Sequence, residues 1–220
     1  MRVLTIETST TVEEVAVVED GTVMSRRRSR VGRGRSDALA ASVAFVLESS
    51  AVRLSRLDAV AVSVGPGRFT GLRVGLATAK GLSSATGVPV VPVPTLEALA
   101  MSARAAEGLV CPVLDARRGE VYAALFRSEG SLVRLMPDVA IAPGELAARV
   151  LGFAAGAAVL FVGTGIEQYR AEFNAVLGES AVAATGVSEP VPEVLAAYAE
   201  NRRLDVGPAD CLEPVYLRGI

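Results

Sequence analysis

Apolar residues along this chain come in short blocks separated by polar or glycine-bearing turns, and the period of each block predicts its element. Arg2 to Ile6 alternates and runs into the polar turn Glu7 to Thr10. Val12 to Val18 and Thr22 to Arg28 are strand-like and meet at Glu19, Asp20 and Gly21, which predicts a hairpin. Ser36 is placed to cap a helix running to about Ser49, with Asp37 in its first turn. Ala59 to Val64 reads as a buried strand broken by Gly65, Pro66 and Gly67. Thr70 then caps a helix from Gly71 to about Ala85, with Gly87 as its stop. Val88 to Val93 is another strand, and Pro94 and Thr95 start a helix from Leu96 to Ala106.

The second half begins the pattern again. Leu109 to Leu114 is strand-like, Asp115 to Glu120 makes a polar turn, and Val121 to Arg127 with Ser131 to Leu135 forms a meander. Ala142 to Val150, Ala158 to Val162 and Gly165 to Val176 read as helix, strand and helix. Pro192 to Asn201 is one more helix, and Pro214 to Arg218 is a tail expected to add an edge strand. A hairpin feeding parallel βαβ units is the pattern of a ribonuclease H-like domain, the building block of actin-like and sugar-kinase-like folds. The expected fold is α/β, with two ribonuclease H-like (actin-like, ASKHA) domains, the second smaller and degenerate. Residues 1–106 form the first and 107–220 the second, with 192–220 packing back on the first. The polar turns Glu7 to Thr10 and Asp115 to Glu120 fall where two-domain actin-like enzymes hold phosphates and metal.

Two of these helices carry too much apolar surface for one buried face. Gly71, Gly75, Thr78, Leu82 and Ala85 make one stripe, Leu72, Leu76, Ala79 and Ser83 another, and Arg73 and Lys80 are the only charges. Gly75 and Gly81 lie mid-helix, where each costs about 1 kcal/mol against alanine, so the missing side chains must serve close packing. Between Ala38 and Leu47 only Ser42 is polar. Such helices need cover on both sides, and the expected partner-facing residues are Leu39, Val43, Phe45, Val46, Gly71, Leu72, Gly75, Leu76, Thr78, Ala79 and Leu82. The alternative buries both helices between the two halves of the monomer.

Composition narrows the possible functions. With 220 residues, 51% apolar, and mean hydropathy +0.43, the chain has ample material for a core. A net charge of -2 and an aromatic fraction of 5% without tryptophan give no overall case for nucleic acid or membrane. Six arginines do fall within Arg26 to Arg35, either as a solvated loop or as an anion or RNA contact. Cys111 and Cys211 lie far apart with no metal spacing, and reduced thiols in a cytosolic protein are expected. The N-terminal apolar run is too short for a signal peptide, and Leu151 to Gly163 is too short to span a bilayer. A soluble, cytoplasmic protein with no membrane contact is expected.

Several motifs carry a family resemblance. Leu4-Thr5-Ile6-Glu7-Thr8-Ser9-Thr10, the run from Gly65 to Gly75, Ala77 to Leu82, Pro94 to Leu99, Leu114 to Tyr122 and Pro214 to Arg218 together closely resemble the bacterial TsaB (YeaZ) family. The likeness is strong over roughly the first 125 residues and looser beyond. The resemblance implies a non-catalytic subunit in forming N6-threonylcarbamoyladenosine at position 37 of tRNAs that read ANN codons. In that family the subunit pairs with a larger paralogue, TsaD, which transfers threonylcarbamoyl from its adenylate to the tRNA adenosine. A small ATPase, TsaE, joins the complex, and tRNA is reached through the complex. The family's pairing surface is a helical bundle made by the first two helices, and a homodimer is expected when the partner is absent. A nucleotide, ATP or ADP, can lie near the junction of the paralogues. Gly65, Gly67, Arg68, Thr70 and Arg73 are the candidate contacts, since backbone N–H groups at a helix N-terminus attract anions. A tight turn packing helix on strand is the alternative reading of that loop.

The catalytic paralogue shares the glycine loop but continues into a His-Met-Glu-Gly-His segment whose histidines hold its metal. The matching segment here is Thr95-Leu96-Glu97-Ala98-Leu99, and the chain contains no histidine. Threonine and leucine cannot replace imidazole at a transition-metal site, and Ser-His or Cys-His chemistry is equally excluded. No catalytic residue and no metal ligand is therefore assigned. Glu7, Asp115 and Glu120 are either acid, base or Mg²⁺ candidates or turn residues inherited from an ancestral phosphate site. The family usually has aspartate where this chain has Glu7, and a histidine-serine pair where it has Arg35 and Ser36. Two other classes stay open: a stand-alone actin-like ATPase or kinase, for which Gly163-Thr164-Gly165 is a weak echo of an adenosine loop, and a homodimeric regulatory protein.

Overall fold

The computed structural model describes residues 1–30, 38–103, 107–178, 181–183, 186–202 and 208–217. Ser36 and Asp37, expected to start the first long helix, lie outside the described residues, as do Arg33, Arg35, Ala106 and Arg218.

The alternating N-terminal block forms β1 (Arg2–Glu7), which pairs antiparallel with β2 (Val12–Glu19), and β2 pairs in turn with β3 (Thr22–Arg30). Asp20 and Gly21 take positive φ (48° and 76°) at the β2–β3 turn, the conformation a two-residue hairpin of matching twist requires. The fully buried β4 (Ala59–Gly65) lies parallel to β1, and β5 (Val90–Pro94) lies parallel to β4, giving the order β3-β2-β1-β4-β5.

Helices α1 (Ala38–Ser49) and α2 (Phe69–Thr86) cover one face of this sheet. Leu39, Val43 and Val46 of α1 and Leu76 and Ala79 of α2 pack with Leu4, Ile6, Val15, Val17, Val60 and Val62. Helix α7 (Pro192–Arg202) packs against β1, β2 and β4 on the other face. Residues 1–95 and 191–215 make this first compact unit.

The second unit comprises residues 96–190 and 216–220. Its sheet repeats the first: β6 (Gly108–Arg117), β7 (Glu120–Glu129) and β8 (Ser131–Ile141) form an antiparallel meander, and β9 (Val159–Val162) and β10 (Ala181–Ala183) continue parallel to β6. The order β10-β9-β6-β7-β8 has the connectivity of the first sheet, with shorter parallel strands. Helices α4 (Pro143–Ala154) and α6 (Arg170–Leu177) close one core, where Phe161 and Phe173 meet with ring centroids 5.5 Å apart. The chain thus has two ribonuclease H-like α/β units of the actin-like (ASKHA) type.

Several local expectations change. Helix α2 starts one residue before Thr70, with Arg68 at its N-cap and no side-chain cap bond, so Thr70 lies in the first turn. Its end is as expected: Gly87 takes φ 73° and its N–H donates to the Ser83 carbonyl (2.7 Å). Helix α3 (Thr95–Ser102) ends short of Ala106, and from Leu96 onward it belongs to the second unit. The polar turn Asp115 to Glu120 is mostly strand, closed by Arg117, Arg118 and Gly119 at φ 64°, 58° and 78°. The helix expected from Gly165 to Val176 breaks at Tyr169 into α5 (Thr164–Gln168) and α6. Among its described residues the C-terminal tail adds no edge strand. Val215 N–H donates to the Val64 carbonyl (2.7 Å), but β4 already lies between β1 and β5. Among the described residues no helix is long and apolar enough to cross a membrane.

Candidate functional site

At the end of β1, Glu7 stands opposite Glu14 of β2 and is 2% exposed. A buried carboxylate needs donors, and Glu7 has them. Its Oε1 accepts the Ser9 N–H (2.6 Å) and the Ser9 hydroxyl, and Oε2 accepts the Ser63 hydroxyl. Glu14, also buried, faces the Arg28 guanidinium at 3.8 Å. Glu7 is therefore bound up in fixing its own turn against β4.

The glycine loop leans on that same turn. A Cβ at Gly67 would lie 2.5 Å from the Ser9 carbonyl oxygen, and one at Gly71 would collide with the Thr8 carbonyl. Arg68 N–H donates to Ser9 O (2.7 Å), the Arg68 guanidinium to Thr10 O (3.2 Å), and Gly65 N–H to Thr95 Oγ1 (3.2 Å). Two loop N–H groups that would suit a phosphate thus already serve the chain's own oxygens. Of the five candidate nucleotide contacts, Gly67 and Arg68 meet the β1 turn at this seam, and Gly65 packs against Val215 and Thr95. Thr70 and Arg73 project outward from the first turns of α2, where the Arg73 guanidinium lies 4.0 Å from the centre of the Phe69 ring.

The expected partner-facing residues separate into two sets. Leu39, Val43, Val46, Leu72, Leu76 and Ala79 are buried against the chain's own sheet, and Gly75 is buried against Thr8. Phe45 is 44% exposed, and Gly71, Thr78 and Leu82 are half-buried. The outward faces instead include Ala40, Ala41, Ala44, Phe45 and Glu48 on α1 and Phe69, Thr70, Arg73, Ala77, Gly81 and Ser84 on α2. A Cβ at Gly81 would meet no atom within 4 Å. The small residues alone left two stripes of α2 equivalent. The charge on Arg73 was the usable signal, because a guanidinium marks the solvent side and Ala77 and Gly81 follow it at four-residue spacing.

In the second unit Asp115 Oδ1 accepts the Arg117 N–H (2.8 Å) and the Tyr169 hydroxyl (3.1 Å), and Arg117 Nε lies 3.5 Å from Oδ2. Burial, with Asp115 beside it, pushes the Tyr169 phenol above its ordinary pKa. Glu120 pairs with Arg117 across the hairpin. Gly163 and Gly165 of the suggested adenosine loop make close packing on Val113, with a Cβ at Gly165 only 2.7 Å from Val113 Cγ1. Leu96 and Leu99 lie in a core with Val110, Leu114 and Phe126, while Glu97 faces Arg134 at 3.4 Å. Among the described residues no cluster of three or more His, Cys, Asp or Glu side chains is disposed to hold a metal.

Residues 29–217 match the family model described as TsaD, tRNA N6-adenosine threonylcarbamoyltransferase. The Escherichia coli tRNA threonylcarbamoyladenosine biosynthesis protein TsaB is 32% identical over 224 residues, covering 99% of this chain and 95% of that protein. The Bacillus subtilis protein of the same name is 32% identical over 139 residues, covering 63% of this chain and 61% of its own length. Among solved structures, YeaZ from Pseudomonas aeruginosa superposes with a TM-score of 0.82 at 28% identity, over 98% of this chain and 99% of the other. The repeated sheet, the glycine loop seated on the β1 turn and these matches place the chain in the TsaD family, on its TsaB/YeaZ branch.

Proposed function

We propose that this chain is a non-catalytic scaffold subunit in making threonylcarbamoyladenosine on tRNA, supporting a TsaD-type paralogue that modifies position 37 of tRNAs reading ANN codons. The carrying observation is that 220 residues include no histidine. The segment matching the paralogue's metal-binding histidines is Thr95 to Leu99, whose Thr95, Leu96 and Leu99 are buried in packing. Of the three acidic residues in the two polar turns, Glu7 and Asp115 are hydrogen-bonded to neighbours of their own unit.

A scaffold requires a surface, and the outward alanine and glycine positions of α1 and α2 supply one. Small side chains let a partner's helices approach closely, which suits a helical bundle. In the absence of the paralogue the same face would pair two copies of this chain. A nucleotide at the junction would be met by Arg68 and Arg73, whose guanidinium groups suit phosphate. A TsaE-type ATPase completes the assembly, which works in the cytoplasm where tRNA is found.

The test is reconstitution with a TsaD-type paralogue, a TsaE-type ATPase, threonylcarbamoyl adenylate and unmodified tRNA, omitting one protein at a time. Mass spectrometry of the digested tRNA should show no modified nucleoside from this chain alone and none when it is left out. Full product formation without this chain would refute the reading, as would product from this chain alone. Tight Mg-ATP binding by the isolated chain, measured calorimetrically, would favour the ATPase alternative instead.

A further inference from the structure

We propose that the edge strand β3 contacts the RNA phosphate backbone through Arg26 and Arg30, an inference that rests on the tRNA role above. β3 ends its sheet, so its outer edge pairs with no strand among the described residues. Its nine residues include four exposed arginines and no acid.

The register divides these arginines. Arg26, Arg28 and Arg30 stand opposite Ala16, Glu14 and Val12 on one face, and Arg27 stands opposite Val15 on the other. Arg27 lies over the Phe45 ring of α1 at 5.3 Å, and Arg28 faces Glu14. Arg26 and Arg30 have no carboxylate within ion-pair distance among the described residues. Four residues of strand hold the two about 13 Å apart on the same side. Among the described residues both charges stand unpaired on one strand.

Charge is also unevenly placed along the chain. The first 95 residues contain twelve basic and eight acidic residues, although the whole chain carries -2. A third of those twelve fall on β3. Guanidinium groups match phosphate oxygens two at a time, and charged side chains on an edge discourage the addition of another strand. A polyanion laid across the arginines therefore fits better than an acidic peptide paired along the edge. With few aromatic residues available, such contacts would position RNA without reading its sequence.

The experiment measures binding of a labelled, unmodified tRNA transcript to the complex of this chain with its TsaD-type paralogue, by anisotropy at several salt concentrations. In the double variant Arg26→Gln/Arg30→Gln the slope of log affinity against log salt should flatten by about 1.4 to 1.8, from roughly 0.7 to 0.9 per lost phosphate contact. A control pair, Arg53→Gln/Arg56→Gln, removes equal charge from another exposed segment and should leave the slope as it was. Unchanged binding in the first variant, equal loss in both, or displacement of tRNA by poly-glutamate at equal charge concentration would overturn the assignment. Complex formation, read by light scattering, and product formation by the unsubstituted complex are scored separately. If either fails the scaffold reading fails, whereas if both succeed and the double variant binds normally, only this inference falls.

Discussion

Gly75 of α2 lies directly against Thr8 in the turn after β1: a Cβ at position 75 would intrude on Thr8 Oγ1 and stand 3.4 Å from Thr8 Cβ. Thr8 is 4% exposed, and its hydroxyl is buried with no hydrogen-bond partner among the described residues. The mid-helix glycine that suggested a notch for a partner helix receives a residue of its own chain.

Replacing Gly75 with alanine should destabilise the fold by about 1–3 kcal/mol through overpacking, despite alanine's better helix propensity. Thr8→Ala in the same chain removes the intruding oxygen and should restore most of the loss. Urea unfolding of the two single variants and the double variant checks this. A stable Gly75→Ala protein would show that α2 can move away from the turn without cost.

Gly81 behaves oppositely. Its Cβ would point into open space, so Gly81→Ala should raise stability by up to about 1 kcal/mol. Gly81→Arg should keep the melting temperature but abolish pairing with the paralogue and between copies of this chain. Light scattering after size-exclusion chromatography reads the outcome, and unchanged pairing would place the interface elsewhere.

Glu7→Gln should cost about 1–3 kcal/mol. The amide can present only one oxygen, and its NH₂ would oppose donors from Ser9 or Ser63 that now serve a carboxylate. Thermal unfolding monitored by circular dichroism should show the loss. An unchanged transition would mean that these donors find other acceptors.

The two cysteines should differ sharply in reactivity. Cys111 is fully buried in the second unit's core, and burial pushes its thiol well above the ordinary range, while Cys211 is exposed. Reaction depends on thiolate and access. Dithionitrobenzoate should therefore titrate one thiol in the native protein and two in guanidinium, and two fast thiols in the native state would contradict this core.

Much of the architecture was legible because hydrophobic period and turn chemistry are local properties. Asp20-Gly21 announced its hairpin, Gly87 its helix stop, and Ala59 to Val64 its buried strand. The errors came from long-range contacts. Thr70 looked like a cap, yet α2 begins earlier because Arg68 is anchored on Ser9 and Thr10 of a distant turn. The polar turn expected over Asp115 to Glu120 narrows to Arg118 and Gly119, because pairing with β7 extends β6 as far as Arg117. The interface residues were chosen by apolar character, the property that takes a side chain into its own core.

By itself the sequence determined the repeated α/β pattern, the absence of histidine chemistry and the excess of small residues on two helices, since these depend only on residue type and spacing. What packs against the inward glycines of α2 was decided only in three dimensions. The turn after β1 occupies the space above Gly67, Gly71 and Gly75 and leaves Gly81 open. A missing side chain permits close approach, but only the packed chain determines what approaches.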